Sequence, residues 1–296
     1  MLASSSTRQQ PISYTISTRT ITIRPVDQTY ARRGPGNSCC TDAAGNIYTF
    51  GTGSFTQFPS FVRTTPGGST DVVGAYYFDT GILGFAVAGD GSIFFAWNYF
   101  AASSNKIMKI PPYDGSIRTP SNLFNLANSQ SIYNIAVNSD GTKVYLQYGS
   151  ALNAYSNWNG VTASSTAVLG LGGVPYGLSV DRTGNICASS ANGFSYVSAA
   201  GSNYSLTATV PQSNPPGYSG ASNASSIVLD ADAQPLFFSG NTLYKGTMAG
   251  ASIQLSTSNI GTTIYGVYVN PATDVISAMT ALGTSNATFT DYTPSY

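Results

Sequence analysis

The chain has 296 residues, only 8% of them charged, and its formal net charge is zero. All twelve acidic residues are Asp, and neither Glu nor His occurs anywhere. That absence excludes a His general base, a Ser-His-Asp triad and a His-bearing zinc site.

In chain order, residues 1–35 read as an N-terminal arm. The opening MLASSSTRQQ lacks the apolar stretch of a secretory leader and no run is long enough to span a membrane, so the expectation is a protein made in the cytoplasm. Arg8, Arg19, Arg24, Arg32 and Arg33 stand against Asp27, which gives the arm a net charge of +4 and the remainder −4. A basic arm on an acidic body predicts docking onto its own body, a neighbouring copy or another anionic surface. No Lys/Arg run supports nucleic acid as the partner. Residues 12–24 alternate as a strand, but Ile12, Tyr14 and Ile16 share one face while Ile21 and Ile23 share the other. That change of phase predicts a bulge at residues 17–18 or two short strands, one of them free for a partner.

From residue 36 onward Val, Ile, Thr, Tyr and Phe are plentiful, which favours strands over helices. Two landmarks repeat in phase. The first is an apolar strand, an Asp-containing turn and a second apolar strand: CCTDAAGNIY from Cys39, GFAVAGDGSIFFAW from Gly84, YNIAVNSDGTKVYLQY from Tyr133 and YGLSVDRTGNICAS from Tyr176. Weaker copies are SSIVLDADAQPLFF from Ser225 and YGVYVNPATDVISAM from Tyr265. The second is a short strand ending in a turn, starting at Phe61, Ile107, Leu152, Phe194, Leu243 and Ala287. Both recur at about 40–50 residues, the span of a four-stranded propeller blade. The expected architecture is all-β: a six-bladed β-propeller over residues 36–296. The sixth unit ends after its third strand, so residues 12–24 are expected to supply the missing fourth and remove an open edge.

The units from Tyr133 and Tyr176 in particular resemble NHL-type and lactonase-like six-bladed propeller repeats. The resemblance implies the fold. In hydrolases of that kind it also implies an axial divalent metal held by Glu, Asp and Asn; this chain has no Glu for such a site, and only an Asp/Asn calcium site stays open. Asp42, Asp90, Asp140, Asp181, Asp230 and Asp232 all fall in or beside the turn between first and second strands, where Asp bonds its own backbone. No catalytic residue, metal ligand or cofactor is assigned. Cys39, Cys40 and Cys187, an odd number, read as small buried residues rather than a disulfide framework.

The connections at the other end include the longer stretches 51–59, 97–105 and 211–220. Their Tyr99, Phe100 and Tyr218, together with Trp158 in an opposite-end turn, are candidate contacts for a protein or glycan, in the manner of adaptable Tyr/Ser/Gly/Asn loops. The functional expectation is a non-enzymatic assembly protein contacting copies of itself or other structural proteins, as in a tailed-phage virion or surface appendage. A carbohydrate-binding adhesin is the alternative.

Overall fold

The computed structural model describes residues 13–22, 39–53, 56–75, 82–99, 104–126, 132–148, 151–170, 175–181, 183–190, 193–198, 203–206, 227–229, 235–239, 241–249, 252–259, 261, 266–269, 275–282 and 286–295. Every regular element among them is a strand. The chain begins with β1 (Ser13–Thr22) and then lays down consecutive hairpins. β2 (Cys39–Thr41), β3 (Ile47–Gly53), β4 (Thr56–Thr64) and β5 (Thr70–Ala75) form one sheet, in that order. The same plan recurs with β6 (Ile82–Val87), β7 (Ile93–Tyr99), β8 (Ser104–Ile110) and β9 (Ser121–Leu126), and with β10 (Ile132–Val137), β11 (Val144–Tyr148), β12 (Ala151–Ser156) and β13 (Ser164–Gly170). It continues with β14 (Pro175–Val180), β15 (Ile186–Ser190), β16 (Gly193–Val197) and β17 (Asn203–Leu206), then with β18 (Ile227–Leu229), β19 (Pro235–Ser239), β20 (Thr242–Ala249) and β21 (Ser252–Asn259). The remaining sheet takes β22 (Gly266–Val269), β23 (Ile276–Leu282) and β24 (Asn286–Ser295) from the end of the chain and β1 from its beginning, in the order β1-β24-β23-β22.

These small antiparallel sheets make the fold an all-β propeller. The first strands of successive sheets lie side by side: β2 on β6, β6 on β10, β10 on β14, β14 on β18, β18 on β22, and β22 on β2. A hydrogen bond from Thr41 Oγ1 to the Val269 carbonyl, 3.2 Å, joins the last of these neighbours. The core sits between sheets, as period-two strands buried on both faces require. Phe61, Phe85 and Phe95 meet within 5.3 Å between the first two sheets; Ile107, Phe124, Ile135 and Leu146 pack between the second and third. Tyr145, Leu152, Leu178 and Ile186 do the same between the third and fourth.

Two expectations about local structure need correction. β1 pairs with β24 through ten consecutive residues, from Ser13 opposite Ser295 to Thr22 opposite Asn286, with no bulge and no unpaired half. The phase change is absorbed without a kink because Tyr14 and Ile16 are exposed and no core face constrains them. The stretches 51–59 and 97–105 are not long loops either. β3 and β4 continue as a hairpin to Gly53 opposite Thr56, and β7 and β8 to Tyr99 opposite Ser104. No helix among the described residues is long and apolar enough to cross a membrane.

Candidate functional site

Each sheet has two ends. At the first, strand one turns into strand two. Gly45, Gly91 and Gly184 hold φ of 80°, 86° and 89° there, the left-handed residue that closes a three-residue hairpin loop, and Gly141, φ 70°, sits in a loop one residue longer. The carboxylates in these turns occupy two different places. Asp42 and Asp181 open their turns. Asp42 accepts hydrogen bonds from the Ala44 and Asn46 amides, Asn46 Nδ2 and the Tyr48 hydroxyl at 2.7–3.0 Å; Asp181 accepts from the Thr183 and Asn185 amides and Asn185 Nδ2 at 2.7–2.9 Å. Asp90 and Asp140 sit two residues further on, each bound to the amide and hydroxyl of the residue two ahead, Ser92 or Thr142. Those Thr142 bonds hold the Asp140 carboxyl below its usual range, and burial together with the Asp42 charge pushes the Tyr48 phenol well above 10.0.

The turns are also joined to each other: the Ala43 amide donates to the Gly89 carbonyl, and the Gly89 amide to the Ser139 carbonyl at 2.8 Å. This end is therefore structural. Asp230 and Asp232 lie outside the described residues. No three His, Cys, Asp or Glu side chains group together among the described residues. With Glu and His absent from the chain and these aspartates committed to turns, the donor set among the described residues does not fit the axial metal that the family resemblance implies.

The second end, the mouth, is built differently. The innermost strands β6, β10 and β14 each carry a register shift near their start, between Ile82 and Gly84, Ile132 and Asn134, and Pro175 and Gly177. A bulge there places one extra residue, Leu83, Tyr133 or Tyr176, at the start of the strand nearest the axis; bulges of this kind gather beside functional sites. Directly after it the chain pairs Gly84 with Ala96, Gly177 with Ser189 and, at the corresponding place in β22, Gly266 with Met279. The third sheet instead pairs two amides, Asn134 with Gln147. Both are buried, Asn134 Nδ2 donates to Gln147 Oε1 at 2.7 Å, and among the described residues Gln147 Nε2 has no partner. Next along β11, Tyr148 shares a 3.0 Å hydrogen bond with the Tyr155 hydroxyl and accepts one from Asn153 Nδ2.

Of the residues singled out from sequence, Tyr99 ends β7, opposite Ser104. Phe100 and Tyr218 lie outside the described residues. Trp158 is half-buried in an aromatic column, stacked on Phe124, which itself stacks on Tyr155, and edge-on to Phe94. Arg19 docks: its Nε meets Asp291 Oδ2 at 2.5 Å, Nη2 reaches Ser277 Oγ at 3.3 Å, and the guanidinium lies over Phe289. Arg8, Arg24, Arg32 and Arg33 fall outside the described residues. Cys187 is buried, with its thiol pushed far up by desolvation, and Cys40 is half-buried. The Asn134–Gln147 pair was missed, although aligning the units would have revealed Gln147 where Phe50, Ala96 and Met279 stand.

No family model matches the chain, and no curated protein matches it. Solved structures do. A virginiamycin B lyase from Staphylococcus aureus aligns with TM-score 0.54 at 14% identity, over 89% of this chain and 82% of that one. The PQQ-bound aldose sugar dehydrogenase from Streptomyces coelicolor aligns with TM-score 0.53 at 12% identity, over 96% and 99%. The mitotic checkpoint complex matches with TM-score 0.54 at 9% identity, over 100% and 98%. At these identities the likeness carries the propeller fold alone. The expectation of a non-enzymatic virion, assembly or adhesion protein finds no counterpart among these structures, which include a lyase and a sugar dehydrogenase of the same fold aligned over most of the chain, and it is corrected on that ground.

Proposed function

We propose that this propeller is an enzyme acting on a small, uncharged, hydroxyl-rich molecule of the aldose kind, held at the mouth end of its innermost strands. The observation that carries this reading is the Asn134–Gln147 pair. A buried amide N–H without an acceptor costs about 1–3 kcal/mol, and the sheets of β6, β14 and β22 avoid that cost with glycine opposite a small or apolar residue. Sheet three keeps a donor that suits a hydroxyl or carbonyl oxygen. The likeness to an aldose dehydrogenase and to a lyase supports an enzymatic use of this fold. Asn134 orients Gln147, and Gln147 Nε2, shielded from solvent by its neighbours, holds the substrate oxygen once the side chains over it part. The same reading takes the six sheets as the blades of one closed ring, with β1 as the outer strand of the last.

The test compares the wild-type protein with an Asn134→Gly/Gln147→Met variant, which copies the Gly266–Met279 pair. Titration calorimetry with a panel of aldoses and sugar lactones is expected to show binding by the wild type and at least tenfold weaker binding by the variant. Dye-linked oxidation, with and without added PQQ, and lactone opening in a pH-stat read turnover. Absence of both binding and turnover across the panel overturns the proposal, as does a variant indistinguishable from wild type.

A further inference from the structure

The outer strands of the sheets are not equally protected. The free edge of β5 is met by the next sheet, where the Arg118 amide donates to the Val73 carbonyl at 3.0 Å and residue 118 bridges Gly74 in parallel. β9 is met in the same way, with the Asn125 amide bonding the Val161 carbonyl and the Gly160 amide bonding the Leu123 carbonyl. The bonds of β1 among the described residues run inward, to β24 and through Arg19 to Ser277. Its ten residues contain no Lys, Pro or Asp, the usual means of blunting an edge, and its one charge, Arg19, is already engaged by Asp291. Of the four large hydrophobic side chains that stand exposed among the described residues, two are on β1: Ile16, 64% exposed, and Tyr14, 38% exposed. They are two positions apart and so share one face.

We propose that the free edge of β1 pairs antiparallel with β1 of a second copy of this chain. A two-fold axis perpendicular to the joined sheet keeps like faces together, so residues of equal parity must oppose each other. The proposed register centres on Ile16, the more exposed of the two, placing Ile16 against Ile16 of the second copy and Tyr14 opposite Thr18 on either side. Two four-stranded sheets then become one of eight strands, and both unprotected edges disappear. A sequence without charge on the outward face suits a like partner, since identical charges there would repel.

Sedimentation velocity over a concentration series tests this with the full chain. A reversible dimer is expected for the wild type. Ile16→Lys, which brings two like charges together at the axis, is expected to weaken it roughly tenfold or more while leaving the melting temperature unchanged at concentrations where both proteins are monomeric. Register is read by cross-linking: on mild oxidation Ile16→Cys should give a covalent dimer absent from wild type, whereas Thr22→Cys, beyond the paired span, should not. A wild type that stays monomeric overturns the proposal, and so does a dimer that survives Ile16→Lys unchanged or a Thr22→Cys cross-link in place of the Ile16→Cys one.

Discussion

The two ends of the sheets solve the same problem, reversing the chain, with opposite chemistry. At the turn end, polar groups are saturated: the Asp42 carboxylate accepts four hydrogen bonds, and adjacent turns bond each other through Gly89. At the mouth, glycine and bulges dominate, and the buried Asn134–Gln147 pair is left a bond short among the described residues. Carboxylates therefore mark stability in this protein, while neutral amides mark the candidate site. Function is to be sought where hydrogen bonding is incomplete rather than where charge is concentrated.

The sharpest way to break this contrast is Asp42→Ala. It strands the Tyr48 hydroxyl and Asn46 amides in a buried setting, and an expected loss of about 3 kcal/mol in urea unfolding should exceed that of Asp140→Ala, an exposed carboxylate whose removal should stay within about 0.5 kcal/mol. Equal effects would mean the two turn positions are equivalent. Gly89→Ala comes next. A Cβ there would lie 2.8 Å from Ser139 Oγ and 3.0 Å from the Ser139 carbonyl oxygen, so separating the two turns is expected to lower stability by about 2 kcal/mol.

The pH dependence is smaller. Burial and Asp42 raise the Tyr48 phenol above its ordinary 10.0, so the folded state holds that proton more tightly than the unfolded chain. The stabilisation is complete below the unfolded value and is lost as pH rises beyond it. Stability should fall above about pH 10, and the fall should be shallower in Tyr48→Phe, which has nothing to ionise there. A small change in stability, within about 1 kcal/mol, is expected of Asn134→Gly/Gln147→Met, because both polar partners leave together. A large loss there would make the pair a structural element like the turns.

Much of the turn end was legible beforehand, because Asp followed by Gly within a few residues has a local cause. The Asp42 and Asp140 bonds reach only residues two to six positions along, and no distant contact is needed to place them. The pairing of β1 with β24 could also be anticipated, since a sixth unit ending after its third strand leaves an edge and residues 12–24 alternate as a strand should. What misled was reading each strand against its own pattern. The switch from Tyr14 and Ile16 to Ile21 implied a kink, yet a strand at the rim has a face with no core to match. The packing of Trp158 was not legible from its own turn because Phe124 and Phe94, which flank it, belong to the preceding sheet. Gln147 read as an ordinary polar residue in a strand; only the register opposite Asn134 shows it buried and unsatisfied.

By itself, then, the sequence determined the propeller class, the repeated strands and turns, and the exclusion of imidazole and glutamate chemistry, because composition and short-range periodicity follow from local backbone preferences and need no knowledge of neighbours. Only the tertiary structure decided which polar groups are spent and which remain available. Burial and hydrogen-bond satisfaction depend on residues dozens of positions apart: Arg19 meets Asp291 from the opposite end of the chain, and Gln147 becomes a candidate binding group only once the third sheet is packed against its neighbours.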